Sequence, residues 1–138
     1  MASKKRVTVV NDSPEFLALL ADFLDEEGYE VTTLPKHQGA FEQIKESQPD
    51  VVICDLMFGN VPAGWALLDM LHLDAETRAI PLILCSVATR EVQDVVPSLT
   101  AKGVLWLEKP FALEKLLELL GGIDDDPVAK LRVQGNAN

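Results

Sequence analysis

The stretch "VVICDLMFGN", residues 51–60, decides the fold. Val51, Val52 and Ile53 are strong β-formers, and Cys54 carries the apolar run up to Asp55. A short, wholly apolar run bounded by polar residues suits a strand covered on both faces, as in a parallel sheet. Asp55 then stands at the carboxyl end of that strand. A carboxylate there costs free energy unless something offsets its burial.

Four more runs of the same kind flank this one. They are Val7–Val10 ("VTVV"), Val31–Leu34 ("VTTL"), Leu82–Cys85 ("LILC") and Val104–Leu107 ("VLWL"). "VTTL" is the most polar and is the expected edge strand. Helical patterns alternate with the runs. In "SPEFLALLADFLDEEG" Ser13 suits the N-cap, Pro14 the first helical residue and Gly28 the stop. Phe16, Leu17, Leu20, Phe23 and Leu24 recur at helical spacing along it. "GAFEQIKES" and "AGWALLDMLHL" follow the second and third runs. "TREVQDVVPSLTAKG" follows the fourth, and Pro97 should shorten or kink that helix. "FALEKLLELLGG" follows the fifth, stopped by Gly121 and Gly122. Strand–helix alternation repeated five times predicts an α/β fold with right-handed crossovers, a (βα)5 three-layer sandwich.

A chain of 138 residues suits one domain, and 48% hydrophobic content can fill its core. The expected domain covers residues 1–123, and 124–138 reads as a flexible tail, first acidic ("DDDP") and then polar. A net charge of −10 argues against nucleic acid and against an anionic membrane surface as partners. Cys54 and Cys85 each end an apolar run and read as buried free thiols, with no zinc-type Cys/His spacing. His37 and His72 sit apart in polar surroundings and are given no role. The start "MASKKRVTVV" lacks the apolar core of a signal peptide, and no apolar stretch is long enough to span a bilayer. These features point to a soluble, cytoplasmic protein.

Ligands of such sheets bind beyond the carboxyl ends of the strands, where strand order reverses. The residues just past each run are Asn11 and Asp12, Pro35 and Lys36, Asp55, Ser86, and Glu108 and Lys109. A flavodoxin-like strand order, 2-1-3-4-5, would set the first and third strands side by side and bring Asp12 and Asp55 into one pocket. Two carboxylates that close repel unless a cation lies between them, and an all-oxygen site suits a hard ion such as Mg²⁺. Ser86 would add a hydroxyl and Lys109 a positive charge. Those are the parts that handle a phosphoryl group, where positioning and charge neutralisation do most of the work. Taken singly, Asp12 suits a helix cap equally well, Ser86 a loop and Lys109 a solvated surface.

The motifs "VTVVNDSPEF", "PDVVICDLM", "IPLILCSVA" and "LEKPF", in this order and spacing over roughly residues 5–121, resemble the response-regulator receiver domain of two-component signalling. The likeness is to the stand-alone, chemotaxis-regulator type. It implies that Asp55 is the phosphoacceptor, charged by a sensor histidine kinase or a phosphotransfer protein. It implies Mg²⁺ as cofactor, held by Asp12, Asp55 and the backbone carbonyl of Met57, with Asn11 reaching it through water. Ser86 and Lys109 would contact the phosphoryl group, and the Lys109–Pro110 bond would be cis. Trp106 would be the aromatic switch, with a core residue of the fifth strand as the alternative. The implied protein is a phosphoacceptor switch that binds a downstream protein partner. It is not an enzyme beyond its own phosphorylation and dephosphorylation.

Some positions depart from that pattern. Asn11 replaces a second acid, and Val87 replaces a small residue after Ser86. The loop "LMFGNVPAGW" is about one residue long of the usual form. Its Phe58, Val61 and Trp65 could meet a partner, or Trp65 could anchor the third helix. A degenerate receiver, an interaction module independent of phosphate, is the alternative reading. Asn11 and Val87 favour it, while Asp12, Asp55, Ser86 and Lys109 oppose it. A haloacid-dehalogenase-type phosphatase would need an acid at Met57, and a flavodoxin a Ser/Thr-rich loop where "NDSPEF" stands.

Overall fold

In the computed structural model, which describes residues 4–125, five strands and five helices alternate along the chain. They are β1 (Arg6–Val10), α1 (Pro14–Glu26), β2 (Glu30–Leu34), α2 (Ala40–Ser47) and β3 (Val51–Asp55). Then follow α3 (Ala63–Leu73), β4 (Leu82–Val87), α4 (Arg90–Ala101), β5 (Val104–Lys109) and α5 (Leu113–Asp125). The strands form one parallel sheet of order β2-β1-β3-β4-β5, the flavodoxin-like order expected.

The alternation of side chains along a strand divides the core in two. Val7, Val9, Val51, Ile53, Ile83, Cys85 and Leu107 point to one face and pack under Leu17, Leu20 and Leu24 of α1 and Leu116 and Leu120 of α5. Val10, Val52, Cys54, Leu82, Leu84 and Val104 point to the other, against Ile44, Leu67, Leu71 and Leu99. All five residues of β3 are buried, whereas β2 buries only Leu34, as befits an edge. Both cysteines are buried free thiols.

Local chemistry sets where the helices begin. Ser13 caps α1, its hydroxyl accepting from the Phe16 N–H at 3.2 Å, with Pro14 in the first turn. Thr89 caps α4 in the same way through the Val92 N–H. Gly28, after α1, adopts φ +93°, which only glycine takes without strain.

Two expected helix ends need correction. Pro97 lies inside α4 but does not cut it short, since the helix runs on to Ala101. Proline removes one backbone hydrogen bond, and Val92, Val96 and Leu99 packing on the sheet offset that loss. Gly121 and Gly122 do not stop α5, which continues to Asp125 and buries Ile123 beyond them. Apart from its first two residues, the tail expected over 124–138 lies outside the described residues. Among those described, no helix is long and apolar enough to cross a membrane.

Candidate functional site

The parallel register carries Asp55, the last residue of β3, opposite Cys85 of β4, and it sets β1 directly beside β3. The loop after β1 therefore opens next to the end of β3. β5 brings Lys109 to the same rim, one strand beyond β4. There a cavity of about 660 Å³ is lined by Asn11, Asp12, Asp55, Val87 and Lys109, with Phe16 and Phe111 on its apolar side.

Asp55 is 8% exposed, and its partner is Lys109, whose Nζ lies 2.7 Å from Oδ1. Burial pushes the Asp55 carboxyl above its ordinary range; the hydrogen bond and charge of Lys109 pull it back, and the nearby charge of Asp12 adds to the rise. Lys109 thus answers for much of the acid at the end of an apolar strand. Its ammonium also lies over the Phe16 ring, 5.5 Å from the centroid. The Lys109–Pro110 peptide is cis. Cys54 donates its thiol to the Asp55 carbonyl at 3.2 Å, and burial raises both thiols well above their normal titration range.

Asp12 does not cap α1; Ser13 does. The Asp12 Oδ2 instead accepts from the Gly59 N–H at 2.8 Å, which ties the loop after β3 to the loop after β1. Asn11 is 3% exposed, and its Oδ1 accepts from the Ser13 N–H at 2.8 Å. Its side chain therefore shapes the turn into α1. Ser86 is buried, but its hydroxyl donates to the Val87 carbonyl at 3.1 Å and accepts from the Trp106 Nε1–H at 3.0 Å. Val87, 53% exposed, stands at the cavity wall, and Ser86 is not among its lining residues. Trp106 is half-buried against the second core as well as bonded to Ser86.

The loop after β3 is a tight turn in which Phe58 and Val61 exchange backbone hydrogen bonds of 2.8 and 3.1 Å. The expectation of a partner contact fails for Phe58, which is 7% exposed and meets the His37 ring edge-on at 5.1 Å. Trp65 packs on the core and anchors α3, while Val61 remains exposed.

The donor chemistry fits a divalent cation of the Mg²⁺ kind, with two carboxylates facing one cavity. Mg²⁺ keeps several waters and needs only one or two such groups. Among the described residues no group of three His, Cys, Asp or Glu side chains converges.

Three features escaped the sequence reading. Phe16 was legible only as a core-facing helix residue. The role of the Gly59 N–H has no side-chain signal. Gly64 approaches β3 so closely that a Cβ there would sit 2.5 Å from the Asp55 carbonyl oxygen; only a glycine in the first turn of a helix hinted at it.

Comparison with known proteins gives a consistent result. A family model for the response regulator receiver domain matches residues 7–121. The probable transcriptional regulatory protein TcrX of Mycobacterium tuberculosis is 32% identical over 112 residues, covering 80% of this chain and 46% of TcrX. The chain thus spans about half the length of that relative. The chemotaxis protein CheY of Bacillus subtilis is 28% identical over 83% of this chain and 93% of CheY. The solved response regulator TrrA of Thermotoga maritima, in complex with Mg²⁺ and BeF, superposes with a TM-score of 0.72 at 24% identity, covering 86% and 98% of the two chains. That likeness concerns the fold alone. On the match over residues 7–121, the chain belongs to the response regulator receiver domain family.

Proposed function

We propose that Asp55 is a phosphoacceptor, charged from a phosphohistidine on a sensor kinase or phosphotransfer protein. The observation that carries the reading is the 2.7 Å pair of Lys109 with Asp55 at the rim of a cavity that also holds Asp12. A carboxylate oxygen of Asp55 attacks phosphorus. The P–N bond breaks as the P–O bond forms, and the departing imidazole nitrogen takes a proton from solvent. Bound Mg²⁺ would neutralise phosphoryl charge, held by Asp12, Asp55 and the Met57 carbonyl, with Asn11 reaching it through water. Lys109 moves its ammonium from the carboxylate to a phosphoryl oxygen. Ser86 exchanges its Trp106 and Val87 partners for another oxygen. Trp106, released from Ser86, then turns, and the altered surface is read by a protein partner.

A receiver that works without phosphate is the second reading. It draws on the Ser13 N–H bond that occupies Asn11 and on Val87 at the cavity wall. Acetyl phosphate with Mg²⁺, followed by intact mass measurement, separates the two. The first reading expects one phosphoryl group per chain, lost in Asp55→Asn, and a change in Trp106 fluorescence. An unmodified chain favours the second.

A further inference from the structure

We propose that Phe16 is a positioning residue for Lys109, its ring giving the ammonium a second contact besides Asp55. Lys109 needs a guide besides Asp55, because its ammonium has to leave the carboxylate oxygen it now holds for a phosphoryl oxygen when Asp55 is phosphorylated. Asn11 is neutral, and its Oδ1 is committed to the Ser13 N–H. Asp12 is committed through Oδ2 to Gly59. The face of Phe16 lies 5.5 Å from the Lys109 nitrogen, within the range of cation–π attraction.

The ring is itself fixed from two sides. Its backbone N–H is held by the Ser13 cap, and the ring meets Phe111 edge-on at 6.1 Å with an interplanar angle of 85°. Phe111 follows Lys109 by two residues, so one contact ties α1 to the turn that carries the lysine. Lys109 is thereby held between a carboxylate and a ring face. The ring, unlike Asp55, carries no charge that phosphorylation changes.

The proposal rests on the phosphoacceptor reading for its functional consequence but not for its geometry, and the test separates them. Proton and carbon resonances of the Lys109 side chain are recorded in the unphosphorylated protein, in Phe16→Leu, Phe16→Met and Phe16→Tyr. Ring-current shielding of the Lys109 ε-methylene is expected in the wild type and in Phe16→Tyr, and is lost in both aliphatic variants. Beryllofluoride with Mg²⁺ is then titrated by calorimetry. Affinity should fall about two- to fivefold in Phe16→Leu and Phe16→Met and return in Phe16→Tyr. An unshielded Lys109 in the wild type overturns the proposal. So does an equal loss of affinity in all three variants, since that would mark Phe16 as packing only. Absence of beryllofluoride binding in the wild type would sink the phosphoacceptor reading and the functional half of this proposal with it, while the shielding still decides whether ring and ammonium meet.

Discussion

The indole N–H of Trp106 donates to the Ser86 hydroxyl at 3.0 Å, one strand over in the sheet. A serine hydroxyl has one proton to give, and that proton goes to the Val87 carbonyl. Ser86 therefore cannot donate to a phosphoryl group without giving up the Val87 carbonyl. Trp106 holds it in a resting position that phenylalanine could not.

Trp106→Phe should free Ser86. A neutral hydrogen bond contributes about 0.5–1.5 kcal/mol net, so beryllofluoride with Mg²⁺ should bind about two- to tenfold more tightly to the variant. Calorimetric titration of the two proteins measures this. Weaker binding in Trp106→Phe would mean that the indole supports the bound state instead of restraining it.

The hydrophobic pattern made the fold legible because β3, β4 and most of β1 and β5 are apolar on both faces, which is what a covered parallel sheet demands. The ends of α4 and α5 were not legible. Proline and glycine weaken a helix locally, but the burial of Leu99 and Ile123 is a tertiary effect that no local rule contains. The gathering of Asp12, Asp55 and Lys109 at one cavity followed from strand order. The resting bonds of Ser86 and Asn11 did not, because they depend on which of several available partners a short polar side chain selects.

Gly64 leaves no room for a side chain. An added Cβ would meet the Asp55 carbonyl oxygen at 2.5 Å and the Leu56 Cα at 2.7 Å, both backbone atoms that cannot swing aside. The Gly64 N–H also donates to the Leu56 carbonyl at 2.9 Å, so helix and strand end cannot separate without losing that bond. Gly64→Ala should destabilise the protein by about 1–3 kcal/mol despite the higher helix propensity of alanine. Urea unfolding tests it; an unchanged midpoint would show that the start of α3 can shift freely.

Asp12 and Asp55 should make Mg²⁺ a stabilising ligand. A ligand bound only by the folded state at 100 times its Kd adds about 2.7 kcal/mol. A rise in Tm on titrating Mg²⁺, reversed by chelation, is the expected result, and Asp12→Asn should largely abolish it. Equal rises in wild type and variant would assign the effect to ions elsewhere on this acidic chain.

Asp55 gives the protein a pH dependence whose sign follows from its surroundings. Burial raises its carboxyl above the unfolded value near 3.8, and the charge of Asp12 adds to this, while Lys109 opposes both. Between the unfolded and folded values the native state holds more protons than the unfolded chain. Stability from this group is therefore greatest below the unfolded value and falls as pH rises through the folded one. An amide at position 55 does not titrate, so Asp55→Asn escapes that loss. Lys109 then lacks its anion, but its side chain is 30% exposed and water can solvate it. With Mg²⁺ removed by chelation, the stability of Asp55→Asn relative to wild type should climb as pH rises out of the ordinary aspartate range and then level off. Urea unfolding across acid and neutral pH measures the difference. A difference that shrinks with rising pH would mean that Lys109 outweighs burial and that Asp55 is held below its ordinary range.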